Sequence, residues 1–405
     1  MHLVEQHRID RSDGRWSAIN AAAWASKNIY NAANYRVRQS YIGDGRYLSY
    51  ETLEMQFKQK DLLPDQQLPM KVVQQVLRQL DHDWQSYFAA LKAWQADPSA
   101  FTGRPRLPRY KDTKRGRNML VYTKQAIDKR AFAQKGMICP SRLAIVIQTQ
   151  QKTFDQVRIL PRKTHYVVEV VYTLEPEPQP QLNPALVAAG DLGVDTLVAL
   201  TSNKPGFVPL LVNGRPLKAI NQRYNQQRAD LQARLPAGQF TSRQLEVSTD
   251  KRNRRLKTEL HRCSRAIIDH LVTEGIGTLV IGKNDGWKQA VHLGTRTNQN
   301  FVYIPHAQFI EMLTYKAQLV GIHVILSEES YTSKCSFLDL EPIGKHATYR
   351  GKRVKRGLFR ASTGQFINAD VNAAYNILRK VVPNAFADGI AAAVVQPVRV
   401  YPCAN

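Results

Sequence analysis

Residues 175–184 read EPEPQPQLNP, with prolines at 176, 178, 180 and 184. Proline fixes φ and has no N–H to donate, so neither a helix nor a central strand can run through this stretch. The chain is therefore expected to fold as an amino-terminal and a carboxy-terminal part, and 405 residues suffice for two or three full cores. No run of 18 apolar residues occurs, so no transmembrane helix is expected. The start, MHLVEQHRIDRSDGRW, is polar and unlike a signal peptide. Four scattered cysteines (Cys139, Cys263, Cys335, Cys403) form no CxxC pair, which argues against a disulfide framework and a four-cysteine zinc site. A reducing bacterial cytoplasm, close to the nucleoid, is the expected location.

Charge points to the partner. Lys plus Arg is 57 against 33 Asp plus Glu, a net of +24. Such an excess repels itself unless a polyanion neutralises it, and without a membrane signal the expected polyanion is nucleic acid.

In the first part, residues 3–9 suit a short strand. Residues 17–39 read as an Ala-rich helix and 46–63 as a shorter helical piece. Val73, Leu77, Leu80, Trp84, Phe88, Leu91 and Trp94 recur at helical spacing, so their aromatics belong to a core. The segment TGRPRLPRYKDTKRGR, 102–117, carries seven basic residues against one acid, and its prolines forbid regular structure. Arg104, Arg106, Arg109, Tyr110, Lys111, Lys114 and Arg115 suit a phosphate backbone. The period then becomes two, giving strands at 143–147, 157–160 and 166–172. A small β-barrel or sheet with the helical unit inserted follows from this order.

The second part opens on AAGDLGVDTLVAL, 188–200: two β-rich runs about a turn, with Asp191 at the turn. A third strand is expected at 207–212 and a polar helix at 216–235. A helix from Lys251 to Glu274 would have Lys251, Arg252, Arg254 and Arg255 crowding its first turns. Basic charge there opposes the helix dipole, so a phosphate contact would account for it. Thr278-Leu-Val-Ile281 reads as a buried strand closed by Gly282, and 284–304 as a polar loop. A helix from Pro305 to about Leu319 leads to a strand at 322–327 that ends in Glu328-Glu329. Asp370 lies near the start of a last helix. This is the element order of a ribonuclease-H-like α/β domain. Asp191, Glu328 or Glu329, and Asp370 all fall at element ends, and clustered carboxylates suit magnesium ions in phosphodiester cleavage. Thr332, Ser333 and His306 lack a Gly-x-Ser-x-Gly elbow or P-loop around them and are set aside as hydrolase residues.

DLGVDTLVAL, NQNFVYIPHAQF, SYTSKCS, NADVNAAYNIL and GRPRLPRYK together resemble TnpB, the RNA-guided endonuclease of bacterial insertion sequences and a relative of type V CRISPR effectors. The resemblance implies an α/β RuvC/RNase-H-like nuclease plus an N-terminal wedge β-barrel carrying an inserted helical recognition lobe. Residues 1–15 and 105–180 would be the wedge, 16–104 the recognition lobe, and 186–334 with 367–405 the nuclease. Residues 335–366 would form a target-nucleic-acid-binding insert. It further implies a guide RNA from the transposon end, a double-stranded DNA target beside a short adjacent motif, and Mg2+ or Mn2+, two ions. No membrane partner and no small-molecule organic cofactor are expected.

Two departures from the family pattern stand out. Gly282 occupies the position of the second catalytic glutamate. Asp285 follows in the loop, but Glu329, at the end of the neighbouring strand, is the better placed replacement, with Glu328 as backup. The expected metal and catalytic set is therefore Asp191, Glu329 and Asp370. Where two CxxC pairs usually make a zinc ribbon, Cys335 stands with at most His346, so no structural zinc is expected. The insert instead offers YRGKRVKRGLFR, 349–360, in which Lys352, Arg353, Lys355 and Arg356 would touch the target strand. A nuclease-dead RNA-guided repressor and a strand-transfer transposase are the alternative functions.

Overall fold

The computed structural model describes residues 1–58, 68–283, 304–387, 389 and 395–401. The chain divides into two compact units, Met1–Leu174 and Glu175–Asn405, at the point where the proline series begins.

The first unit runs β1 (His2–Asp10), α1 (Trp16–Asp44), α2 (Tyr50–Phe57), α3 (Met70–Ala96), β2 (Leu120–Thr123), α4 (Lys129–Lys135), β3 (Met137–Ile138), β4 (Ile147–Gln148), β5 (Gln156–Pro161) and β6 (His165–Thr173). β1, β6, β5 and β2 make an antiparallel sheet in that order, and β1 pairs with β6 along its whole length, from His2↔Thr173 to Asp10↔His165. Helices α1, α2 and α3 thus lie in sequence between two strands of one sheet. Trp84 is fully buried, its indole N–H donating to Asn34 Oδ1 at 3.0 Å, with Tyr41, Tyr47, Tyr87 and Phe88 packed around it.

Two expectations for this unit need correction. The helix expected at 46–63 is shorter, Tyr50–Phe57, because Ser49 caps it by accepting from Thr52 N–H; residues 59–63 lie outside the described residues. The strand expected at 143–147 buries alternate residues as period two requires, with Leu143, Ile145 and Ile147 in and Ala144 and Val146 out. Only its end pairs, however. Arg142 has φ 55° and Ile145 N–H bonds back to Leu143 O at 2.7 Å, so the backbone closes on itself where a ladder would need it open.

The second unit runs β7 (Asn183–Leu192), β8 (Thr196–Ser202), β9 (Leu210–Asn213), α5 (Arg215–Ala233), α6 (Arg243–Thr273), β10 (Ile276–Gly282), α7 (His306–Val320), β11 (His323–Ser327), β12 (Lys352–Lys355), β13 (Leu358–Arg360), β14 (Phe366–Asn368), α8 (Ala369–Val381) and β15 (Val398–Val400). Its main sheet has the order β11-β10-β7-β8-β9-β15; β11, β10 and β7 are parallel, β7-β8-β9 antiparallel, and β15 returns parallel to β9. The third strand starts at Leu210 and not at 207, immediately after Pro209. β12, β13 and β14 form a separate antiparallel sheet.

Strand residues alternate faces, so parity assigns each side chain. Ala188 and Leu192 of β7, with Leu279 and Ile281 of β10, join a core with α6 and α7 residues. Val187 and Ala189, with Val280, pack instead against Ile377 and Leu378 of α8. The sheet is therefore covered on both faces.

The helix expected to begin at Lys251 begins at Arg243. Ser242 caps it by accepting from Leu245 N–H, and Glu246 stands in its first turn. Lys251 and its neighbours sit two turns inside, where the dipole gives no reason for them.

Candidate functional site

Asp191 shares parity with Val187 and Ala189, so it faces α8. It pairs with Ala199 of β8, whose small side chain leaves the carboxylate room. Below it the β7–β8 turn is tight: a side chain on Gly193 would meet Thr196 O at 2.6 Å. The buried His306, first residue of α7, donates from Nε2 to Gly193 O at 3.0 Å and holds that turn. His306 is thus a structural histidine.

Gly282 lies on the same face by the parity of Val280, and it pairs with Ser327 of β11. A Cβ built on Gly282 would lie 2.6 Å from Glu329 Oε2 and 2.7 Å from Ile377 Cδ1. The carboxylate of Glu329 fills the place that a side chain at 282 would take. Glu328 goes the other way. Lys380 Nζ lies 2.7 Å from its Oε2, and Ser330 donates to its other oxygen. These contacts hold Glu328 low, at about 2. The backup residue is engaged elsewhere.

Asp370 enters from α8. Asn368 caps this helix, its Oδ1 accepting from Asp370 N–H at 3.0 Å and Val371 N–H at 3.2 Å. Two buried asparagines one turn apart then clamp α8 to the chain after β11. Asn372 accepts from Phe337 N–H and donates to Cys335 O, both at 2.9 Å; Asn376 donates to Thr332 O at 2.9 Å and to Cys335 O at 2.8 Å.

Asp191 lies within electrostatic reach of both Glu329 and Asp370. Asp191 keeps some access to water, yet protein crowds it so closely that desolvation pushes its carboxyl well above the usual range. The charges of Glu329 and Asp370 push further, and only Arg353 opposes them. Burial raises Glu329, Glu328 adds to the rise, and Lys380 counters it. A carboxylate crowded by carboxylates favours a proton or a cation. Among the described residues no group of three His, Cys, Asp or Glu side chains is placed to hold a metal ion together. A magnesium-type ion takes one or two carboxylates and leaves the remaining positions to water and phosphate, so it needs no such group.

Arginines of the β12–β13 hairpin reach this site. Arg353 Nη2 is 3.8 Å from Asp370 Oδ1, and Arg356 Nη2 is 2.5 Å from Asp195 Oδ2. Burial pushes Asp195 up, but Lys218 (3.0 Å), Arg356 and Arg215 outweigh it and hold Asp195 below its ordinary value. Asp195 was not singled out from the sequence, although its place four residues after Asp191 was a usable signal. Lys352 and Lys355 of the hairpin are exposed.

The other expected basic residues belong to other elements. In the first unit the proline segment has no regular structure and is strapped along the helices: Asn34 and Arg38 both donate to Pro108 O, Asn31 pairs with the Lys111 backbone, and Lys27 Nζ donates to Thr113 O. Arg104, Arg106, Arg109, Tyr110, Lys114 and Arg115 remain exposed, and Lys111 lies over the Tyr30 ring. On α6, Lys251, Arg252 and Arg255 line a groove against α5, whereas Arg254 pairs with Asp250 at 3.6 Å. Asp285 lies outside the described residues. Cys335 is buried with its Sγ 3.7 Å from Gly344 O, and His346 Nε2 donates to Pro342 O at 2.7 Å.

The chain matches known proteins in the same regions. The family model OrfB_IS605, described as Probable transposase, matches residues 165–288, and the Cas12f1-like TNB domain matches 306–377. The CRISPR-associated endodeoxyribonuclease Cas12f1 of Sulfoacidibacillus thermotolerans is 33% identical over 132 residues, 31% of this chain and 27% of that protein. The chain thus aligns with about a quarter of that relative's length. A cryo-EM structure of a Cas12f1-sgRNA-target DNA complex superposes with TM-score 0.57 at 13% identity, over 89% of this chain and 81% of that one, which shows a shared fold. In these regions the chain is similar to the OrfB_IS605 family and to Cas12f1.

Proposed function

We propose that this protein is an RNA-guided, metal-dependent DNA endonuclease of a transposable element, which cuts double-stranded DNA beside a short adjacent motif. The observation that carries the proposal is the side chain of Glu329 standing in the vacant position of Gly282, on the face that Asp191 shares with Ile377 and Leu378 of α8. In this reading the carboxylate missing at 282 comes from Glu329, two residues past the end of β11.

In this reading Asp191, Glu329 and Asp370 hold Mg2+ or Mn2+, in a pair of ions. Bound there, the metal supplies an activated water and neutralises charge at the leaving 3′ oxygen. The fields that raise Asp191 and Glu329 make both carboxylates exchange a proton for the ion. Arg353, half-exposed above Asp370, orients a strand phosphate toward them. Lys352, Lys355 and Arg356 extend that contact along the strand.

Guide RNA is recognised through its backbone, and sequence is read by base pairing. Residues 1–15 and 105–180 act as the wedge, 16–104 as the recognition lobe and 335–366 as the target-binding insert. The exposed cations Arg104, Arg106, Arg109, Lys114 and Arg115 belong to the RNA and DNA backbone contacts of the first unit.

The purified protein, loaded with RNA transcribed from its transposon end, should cut matched duplex in magnesium, and Asp191→Ala should abolish the cut. Guide-dependent binding with intact DNA in every divalent metal would replace this reading with that of an RNA-guided repressor. Joining of transposon ends without RNA would replace it with that of a transposase.

A further inference from the structure

Outside the carboxylate site, a charged recess of the second unit lies between α5 and α6. It is a groove of about 860 Å3. Six cations line it, Arg223, Arg234, Arg243, Lys251, Arg252 and Arg255, against the single carboxylate of Asp230. Five of them, all but Arg252, have no ion pair with any described residue. Like charges on neighbouring turns of a helix repel, so gathering them along one groove costs stability unless an anion sits there.

The floor of the groove is polar and held in place. Tyr224 Oη bonds Thr249 Oγ1 at 2.9 Å, Ser248 Oγ donates to Gln227 Oε1 at 2.9 Å, and Arg252 Nε donates to Asn221 Oδ1 at 2.8 Å. Helical hairpins ordinarily close through apolar stripes. In this one, residues 225–247 bury a single apolar side chain, Leu245. Its connecting loop then presents Phe240, which is 90% exposed. Phe240 is three residues from Arg243, so the chain keeps it within about 11 Å of the cationic wall. A cationic groove that tracks a backbone, with an aromatic ring held out beside it, is the chemistry that binds an unpaired polynucleotide.

We infer that the α5–α6 hairpin is a binding site for a single nucleic-acid strand, with the arginines and Lys251 on its phosphates and Phe240 stacked on a base. The site goes beyond the nuclease proposal, since strand binding needs neither a metal nor Asp191.

The full chain should be titrated, in chelator, with fluorescent oligouridine RNA, the matching oligodeoxyuridine and a DNA duplex. Phe240→Ala should weaken both single strands about 5- to 100-fold and leave duplex binding unchanged. The triple variant Arg223→Gln, Arg234→Gln, Arg255→Gln should lower the slope of log affinity against log salt by about 2 for a single strand. Photo-cross-linking from 4-thiouridine RNA should label residues 220–255. Preference for the ribose strand assigns the site to RNA, and equal binding assigns it to either strand; both support the inference. Wild-type strand affinity and salt slope in these variants, with no cross-link in 220–255, would overturn it, as would equal losses for strand and duplex in Phe240→Ala. Thermal melts check that the variants fold. Asp191→Ala serves as the separating control. If no protein cuts DNA while groove binding persists, the nuclease proposal fails and this one stands.

Discussion

At Gly282 a methyl group alone would meet Glu329 Oε2 at 2.6 Å and Ile377 Cδ1 at 2.7 Å, so positions 282 and 329 compete for one volume. Three outcomes follow for DNA cleavage by the guide-loaded protein. Glu329→Gln should lose more than about 100-fold, because disturbing residues that merely orient metal ligands already costs 10- to 100-fold. Glu328→Gln, whose carboxylate is tied to Lys380 and Ser330, should stay near wild type. Gly282→Glu should be crowded and destabilised by about 1–3 kcal/mol, but Gly282→Glu with Glu329→Ala should regain part of the activity that Glu329→Ala loses. A silent Glu329→Gln would remove this residue from the site. The sequence already exposed the gap at 282, and strand order made Glu329 its neighbour. Asp195, four residues after Asp191, was passed over because it reads as an ordinary turn residue until Lys218 and Arg356 are seen on it. Titration provides a second test at this scale. Folding keeps protons on Asp191 and Glu329 at pH values where the unfolded chain has lost them. The folded state then binds more protons, and stability falls as pH rises. In chelator, the melting temperature of wild type relative to Asp191→Asn should therefore drop from about pH 4 upward. Magnesium should reduce that drop, since it binds the deprotonated forms. A relative gain with rising pH would contradict the crowding.

Among the elements, α8 contributes more than Asp370. Asn372 and Asn376 bond three backbone groups of the segment after β11, and Phe337 stacks on Tyr375 at 4.3 Å. Buried Glu341 accepts from Ser336 N–H at 2.7 Å and Arg350 N–H at 2.8 Å. Polar bonds to backbone and an aromatic stack thus hold the segment in which the family pattern usually carries a zinc ribbon. Asn372→Ala strands the buried Phe337 N–H and should cost about 1–3 kcal/mol. For a unit of this size that is a fall of roughly 2–10 °C in melting temperature, measured by calorimetry. A shift below a degree would mean that the insert is held by other contacts. How legible an element was depended on its apolar period. β7, β8, β10 and α8 bury regular stripes and were readable. The first turns of α6 were not, because from Arg243 to Arg255 only Leu245 and Val247 are apolar and the stripe begins at Leu256. β12, KRVK, is exposed along its whole length and offers no alternation to read. β15 is three residues pairing across nearly two hundred, beyond any local signal.

At the scale of the whole molecule, the net charge of +24 is spread over both units: the proline strap in one, the α5–α6 groove and the β12–β13 hairpin in the other. Most of these cations are exposed and lack carboxylate partners close enough to neutralise them, so counterions occupy them until a polyanion arrives. Each phosphate contact then releases about 0.7 of a counterion from a single strand and about 0.9 from a duplex. If structured RNA engages six or more of them, its affinity should fall at least about a thousandfold between 50 and 200 mM salt. Folding of the protein should follow the same dependence. RNA at a hundred times its dissociation constant adds about 2.7 kcal/mol to stability, and that gain should vanish as salt is raised, while the RNA-free protein shows no matching loss. Filter binding and thermal melts over the salt series measure the two effects together. A thousandfold drop without loss of the RNA-dependent stabilisation would mean that RNA binds unfolded chain as well as folded. A salt-independent affinity would mean that the excess charge serves something other than a nucleic-acid backbone.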